Sequence, residues 1–262
     1  MEGIQTIEEV IAHLDSIIDR SVEENNCFGI FAYVYRRTTV GIKSGIQRGR
    51  FENPGRMETF DVVFANLYLN AYQAFREDRD PGLSWLACFE SADKSLSILQ
   101  HVLMGMNAHI SFDLGVAAAR VTGDKPIYDL QEDFNRVNDI LKELIDEMQD
   151  SIGSVSWLFK LLDRLWGNVD EKMIDFGIRE FREHAWKIAV QLAEAGSETE
   201  KQRLLKKYDE RTAAMNKAIQ HPRNIFIRMA WWVIRLFEEK DVGKIITRLR
   251  SVHDASDIGI QP

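Results

Sequence analysis

Residues 95–119 read SLSILQHVLMGMNAHISFDLGVAAA, a run of 25 in which Asp113 is the only formally charged side chain. A helix that is apolar all round has to be enclosed, by a protein core or by a bilayer. The same run carries Gln100, His101, Asn107, His109, Ser111 and Asp113. Burying a polar group without a partner costs about 2–7 kcal/mol, so whatever satisfies these groups points toward what the chain does. A transmembrane span is not expected, because two histidines and an aspartate within the run would be costly in hydrocarbon. The NIFIRMAWWVIRLF stretch (224–237) is interrupted by Arg228 and Arg235 and reads as amphipathic. The run is therefore expected at the centre of a soluble helical bundle, as one helix from about 84 or 92 to 121.

The rest of the chain supports an all-α, single-domain, multi-helix bundle. Its 262 residues suffice for one sizeable core, and it has 5 prolines. A first helix is expected over 6–24, with Thr6 and Glu9 at the spacing of a capping box. A second is expected over 27–47, where Thr38, Gly41 and Gly45 form a strip of small residues. A third is expected over 56–77, repeating Phe60, Val63, Phe64, Leu67, Ala71 and Phe75 at helical spacing. A helix over 130–150 carries Leu130, Phe134, Val137, Leu141, Leu144 and Met148 on one stripe. Gly153 marks a break before SWLFKLLDRLWG (156–167), and further helices are expected over 169–195, 199–219, 223–238 and 241–252. The domain is taken as 1–255, with a loose tail at 256–262. No strand-like alternation recurs.

A formal net charge of −8 argues against nucleic acid as a partner. The charge is uneven: residues 201–250 hold 13 Lys or Arg against 5 acids, a segment of +8 that leaves −16 elsewhere. That segment reads either as a solvated, ion-paired surface or as a docking face for an acidic partner or an anionic membrane. Met1 leads straight into an amphipathic stretch without a secretory signal, and Cys27 and Cys88 form no CxxC pair. A cytoplasmic protein with free thiols is expected.

His101, Gly105, His109 and Asp113 recur every four residues, which on an α-helix makes a contiguous, gently wrapping row. Gly105 would leave room between the imidazoles for a ligand or another helix. His109 and Asp113 can form half of a metal site, or a base with its orienting acid. His101 lies two turns away and would act as acid or base. Asp61, beside the stripe of the third helix, and Asp133, beside that of the helix over 130–150, are the carboxylates best placed to complete a metal shell. Asn66, Tyr68, Asn107 and Asn138 are the candidate substrate-binding groups, although Asn107 faces elsewhere and reads better as a tie between two helices. Glu180 and His184 form a second metal-capable pair, but amid charges that favour an exposed face. Arg182 and Trp186 share a face where a cation could stack on a ring.

The strings RMETFDVVFANLYLNAY (56–72), ILQHVLMGMNAHISFDLGVAAA (98–119) and DFNRVNDIL (133–141), with Arg182 and Trp186, resemble the hallmarks of a helical microbial family of unknown function. The resemblance covers most of the chain. It implies membership without implying a mechanism, and marks Asp61, Asn66, His101, Asn107, His109, Asp113, Asp133 and Asn138 as signature positions. A remoter analogy is to zinc-dependent phospholipase C and S1-type nuclease folds, all-α proteins with an HxxxD ligand pair on a buried helix, which His109 and Asp113 match. With six histidines and no second convincing pair, a full trinuclear zinc site is not expected here.

Three functions follow as expectations. The leading one is metal-dependent hydrolysis of an ester or phosphate by one divalent ion, zinc or similar. The second is a metal-free pocket that binds a small, partly apolar molecule or works on it by acid–base chemistry of the isomerase, cyclase or lyase type. The third is a non-catalytic scaffold docking through its basic C-terminal helices. A homo-oligomer is compatible with all three.

Overall fold

The computed structural model describes residues 3–92, 96–123, 125–137, 139–141 and 169–257, and every regular element among them is helical. Asn138 and the 156–167 stretch lie outside the described residues, as does the helix expected over 130–150 beyond residue 141. Helix α1 (Ile7–Glu24) opens on the expected capping box: Thr6 Oγ1 accepts from the Glu9 amide at 3.2 Å and Glu9 Oε2 accepts from the Thr6 amide at 3.2 Å. It stops at Asn25, which takes the left-handed conformation that asparagine tolerates better than most residues. Helix α2 (Phe28–Gln47) packs back along α1. Helix α3 (Pro54–Arg76) starts with proline at its first position and the Asn53 side chain on the Arg56 amide at 3.0 Å.

The central run departs from the expected single helix in two ways. A short helix, α4 (Leu83–Phe89), ends before it, and a second capping box, Ser97 with Gln100, starts α5 (Ile98–Met106). That box is legible as S-x-x-Q, and it sets the true start of the buried rod. Further along, residues Asn107–Asp113 form a π-helical turn before α6 (Leu114–Thr122) resumes. The Leu114 amide donates to the His109 carbonyl five residues back, the bond that defines this wider turn. The α-helical row drawn through His101, His109 and Asp113 is thus broken where the two last residues sit.

A 3₁₀ turn (Ile127–Leu130) follows, then helical residues 131–137 and 139–141. Helices α7 (Val169–Ala193), α8 (Glu198–Gln220), α9 (Ile225–Phe237) and α10 (Val242–Asp257) complete the chain. The rod α5–π–α6 is the axis. Helix α2 touches α5, α3 touches the π turn and α6, α4 touches α5 and the π turn, and α7 and α8 close the remaining side. One apolar cluster joins α1, α2, the second half of α3, α4, α5 and α10. A second joins the first half of α3, α6, residues 127–140 and α7. The rod is the one element here long and apolar enough to cross a membrane among the described residues, yet 72% of its apolar window is buried inside the fold.

Gly115 is where the rod meets α7 most closely. A Cβ there would lie 2.6 Å from the Ala185 carbonyl oxygen and 2.9 Å from Ile188 Cβ. Backbone cannot swing aside as a side chain can, so Gly115→Ala must push the two helices apart. Overpacking of this kind costs about 1–3 kcal/mol, and thermal melts of the variant are expected to show it. An unchanged melting temperature would mean the crossing is looser than described.

Candidate functional site

The π turn delivers His109 and Asp113 into the middle of the bundle, where they are 2% and 4% exposed. They do not converge on a third point. His109 Nδ1 lies 3.1 Å from Asp113 Oδ2, so the two groups bond to each other. The same Oδ2 accepts the indole N–H of Trp85 at 2.8 Å. Tryptophan can only donate, so Oδ2 accepts from it, and with the Asp113 carboxyl ionised Nδ1 carries the hydrogen the pair shares. The other nitrogen, Nε2, is then a bare lone pair. It is buried and has no hydrogen-bond partner. Burial holds the imidazole below its ordinary pKa against the opposing pull of Asp113. Burial likewise raises the Asp113 carboxyl, while His109 and Trp85 work the other way.

Aromatic rings enclose the imidazole. Phe64 of α3 stacks on it with ring centres 3.6 Å apart, and Tyr35 of α2 meets it edge-on at 4.4 Å. Phe31, Tyr68 and Trp85 stand at 5.9, 5.9 and 6.0 Å. Asp61 Oδ2 is likewise buried without a hydrogen bond, while the Tyr35 hydroxyl lies beside the Thr39 side chain, which bonds to it. Burial pushes the Tyr35 phenol well up, and the charge of Asp61 pushes it further, which places the two groups within electrostatic reach. Asp61, one turn before Phe64 on α3, has its pKa raised to about 7, chiefly by burial and then by Glu58. The π turn and α3 thus each hold a buried polar atom without a hydrogen bond, His109 Nε2 and Asp61 Oδ2. In native folds such atoms are few, and each calls for an explanation.

The other expected site residues are placed elsewhere or otherwise engaged. His101 does not share the box. The ring of Phe31 occupies the gap at Gly105, where a Cβ would come within 2.5 Å of it, so the space is filled by a neighbouring helix. The His101 Nδ1 instead faces Cys27 Sγ at 3.4 Å and Ser91 Oγ at 3.5 Å, and burial takes its pKa down to about 4. Asp133 is fully buried but spent at the start of α3, accepting from the Glu52 amide at 2.7 Å, the Asn53 amide at 3.2 Å and Arg56 Nη2 at 2.8 Å. Asn66 donates to the Ile4 and Val62 carbonyls, both at 2.9 Å, and pins the N-terminal segment. Asn107 donates to the Thr212 carbonyl at 3.0 Å and Asn216 Oδ1 at 2.9 Å, tying the rod to α8. Tyr68 is a wall of the box.

These engagements occupy side chains expected in a metal shell. Asp113 and His109 hold one another, and Asp133 caps a helix. Among the described residues no three His, Cys, Asp or Glu side chains are grouped to hold a metal ion. Glu180 is exposed and the half-buried His184 packs edge-on against Tyr208 at 5.6 Å. Arg182 lies over the Phe134 ring at 4.4 Å and donates to the Phe134 carbonyl, while Trp186 packs on the same ring at 4.9 Å. The cation–ring contact therefore forms across helices and not with Trp186 along one face.

Tyr35, Phe64 and Trp85 are the site residues that spacing did not mark. Phe64 was legible as core, but no local pattern ties Trp85, on a short helix of its own, to an aspartate 28 residues on.

The profile of the family of unknown function (DUF5995) matches residues 7–222. The chain belongs to that family. Neither a curated protein nor a solved structure matches it.

Proposed function

We propose that the protein carries out acid–base chemistry, without a metal, on a small and partly apolar molecule held in the aromatic box beside His109. The observation that carries this is the bare, buried Nε2 of an imidazole whose other nitrogen is fixed by Asp113, itself fixed by Trp85. A neutral imidazole so oriented is a general base, and the carboxylate stabilises the imidazolium that forms when it takes a proton. Its target would be an O–H, or a C–H made acidic by a neighbouring carbonyl. Asp61, with a pKa near 7, is suited to return a proton to another atom of the same molecule. Abstraction at one atom and return at another is an isomerisation, and loss of a leaving group in place of the return is an elimination. The surrounding rings would exclude water and select for apolar bulk.

The test has two steps. Nitrogen NMR of the labelled protein at pH 7 is expected to show His109 neutral, with the proton on Nδ1 and a bare Nε2. Small hydroxy and carbonyl compounds that raise the melting temperature are then incubated in D₂O and followed for exchange of C–H for C–D. General-base catalysis is worth about 10²–10⁴-fold, and His109→Gln should remove that much of any exchange. A proton found on Nε2, with no compound stabilising the protein, would leave the box as structure alone.

A further inference from the structure

Helix α9 is the one described helix whose apolar side is not turned inward. Only Ile234 of its 13 residues is buried. Ile225, Phe226, Met229, Trp232 and Leu236 are between 54% and 77% exposed. At 100° per residue these five fall within an arc of about 120°, one continuous face. Soluble proteins seldom leave such a patch on a surface without a use for it.

The charges around this face indicate what covers it. From Arg223 to Phe237 the sequence holds three arginines and no acid. Arg228 and Arg235, seven residues apart, lie along one flank of the apolar arc. Neither Arg223 nor Arg228 pairs with a carboxylate among the described residues. On that same flank a groove of about 480 Å³ opens, lined by Gln100, Arg228, Trp231, Trp232, Arg235 and Lys240 among others. Cationic and amide donors beside two indoles suit an anionic headgroup: guanidinium binds phosphate, and tryptophan sits at the boundary between acyl chain and water. A second copy docking antiparallel through the same face about a two-fold axis would set the two flanks bearing Arg228 and Arg235 against each other, and like charges there repel. The family match ends at residue 222, just before this helix.

We infer that α9 docks the protein on an anionic membrane surface, its apolar face lying in the headgroup boundary and Arg228, Arg235 and Lys240 meeting lipid phosphates. An interfacial helix combines this wide apolar face with a basic edge, and its attachment rests on both terms. The inference does not depend on the chemistry at His109.

The test is co-sedimentation of the full-length chain with vesicles of phosphatidylcholine alone or mixed with phosphatidylglycerol. Pelleting is expected with the mixed vesicles, weakened by added salt because headgroup attraction is screened. Each basic residue near such a surface contributes about 1 kcal/mol, so Arg228→Glu should weaken binding about tenfold or more. The double variant Phe226→Ser, Met229→Ser should bind weakly at any salt concentration. Both changes are at exposed positions, and circular dichroism is the check that the variants keep their helix content. A wild-type chain that stays in the supernatant with both vesicle types overturns the inference. So does equal binding to both vesicle types with Arg228→Glu unaffected. Sedimentation velocity that shows self-association lost in the double variant, without vesicle binding, would assign the face to a second copy instead.

Discussion

Asp61→Asn is expected to make the protein more stable than the wild type at pH 8 and no more stable at pH 4. The buried carboxyl of Asp61 has its pKa raised from 3.8 to about 7, first by burial and then by Glu58. The folded state therefore holds this proton more tightly than the unfolded chain does. Its contribution to stability is complete below about pH 4 and is lost as the pH rises through 7. At 1.36 kcal/mol per pH unit the loss is about 4 kcal/mol, an upper figure. Asparagine has no charge to bury and escapes it. Urea unfolding of both proteins from pH 4 to 8 measures the difference, which should open steadily over that range. Parallel stability curves would mean that Asp61 reaches water or a cation. The same substitution should abolish proton return in any reaction the box catalyses, so that activity and stability move in opposite directions.

Asp113→Ala is expected to be among the most damaging single changes in the core. It strips the partner from both Trp85 Nε1 and His109 Nδ1. A buried donor left unsatisfied costs about 1–3 kcal/mol, so the pair together costs roughly 2–6 kcal/mol. For a chain of this size each kilocalorie shifts the melting temperature by about 2–4 °C, and a fall on the order of 10 °C should follow. Asp113→Asn separates structure from chemistry. Its amide oxygen can still accept from both donors, so most of the stability should survive. The negative charge that would hold an imidazolium is gone, and proton transfer through His109 should fail. An alanine variant that melts with the wild type would show that neither bond is formed in solution.

Much of this arrangement was legible in the residue pattern. The apolar run placed its own helix at the centre, because 25 residues with one charge admit few other positions. Helical spacing of Phe60, Phe64, Leu67 and Ala71 located α3 and Thr6 marked the start of α1, whereas Asn53 and Ser97 cap helices whose starts were expected elsewhere. The pairing of His109 with Asp113 was likewise visible as a four-residue interval. What the interval could not say is whether the two groups share a ligand or bond to each other. That depended on the π turn, which opens the helix by one residue in a stretch where composition gives no warning.

The roles of the remaining polar residues were decided by contacts distant in the chain. Asp133 carries the same carboxyl as Asp61, on an equally apolar stripe. One meets two amides and an arginine at the start of α3, while the other is left without a hydrogen bond on Oδ2. His101 and His109 lie on the same rod eight residues apart, and the ring of Phe31 from another helix divides them. Periodicity reports which face of an element avoids water, because that depends on each residue alone and on its near neighbours. Whether a buried nitrogen or oxygen finds a partner depends on which helix arrives opposite it, and only the packed bundle determines that.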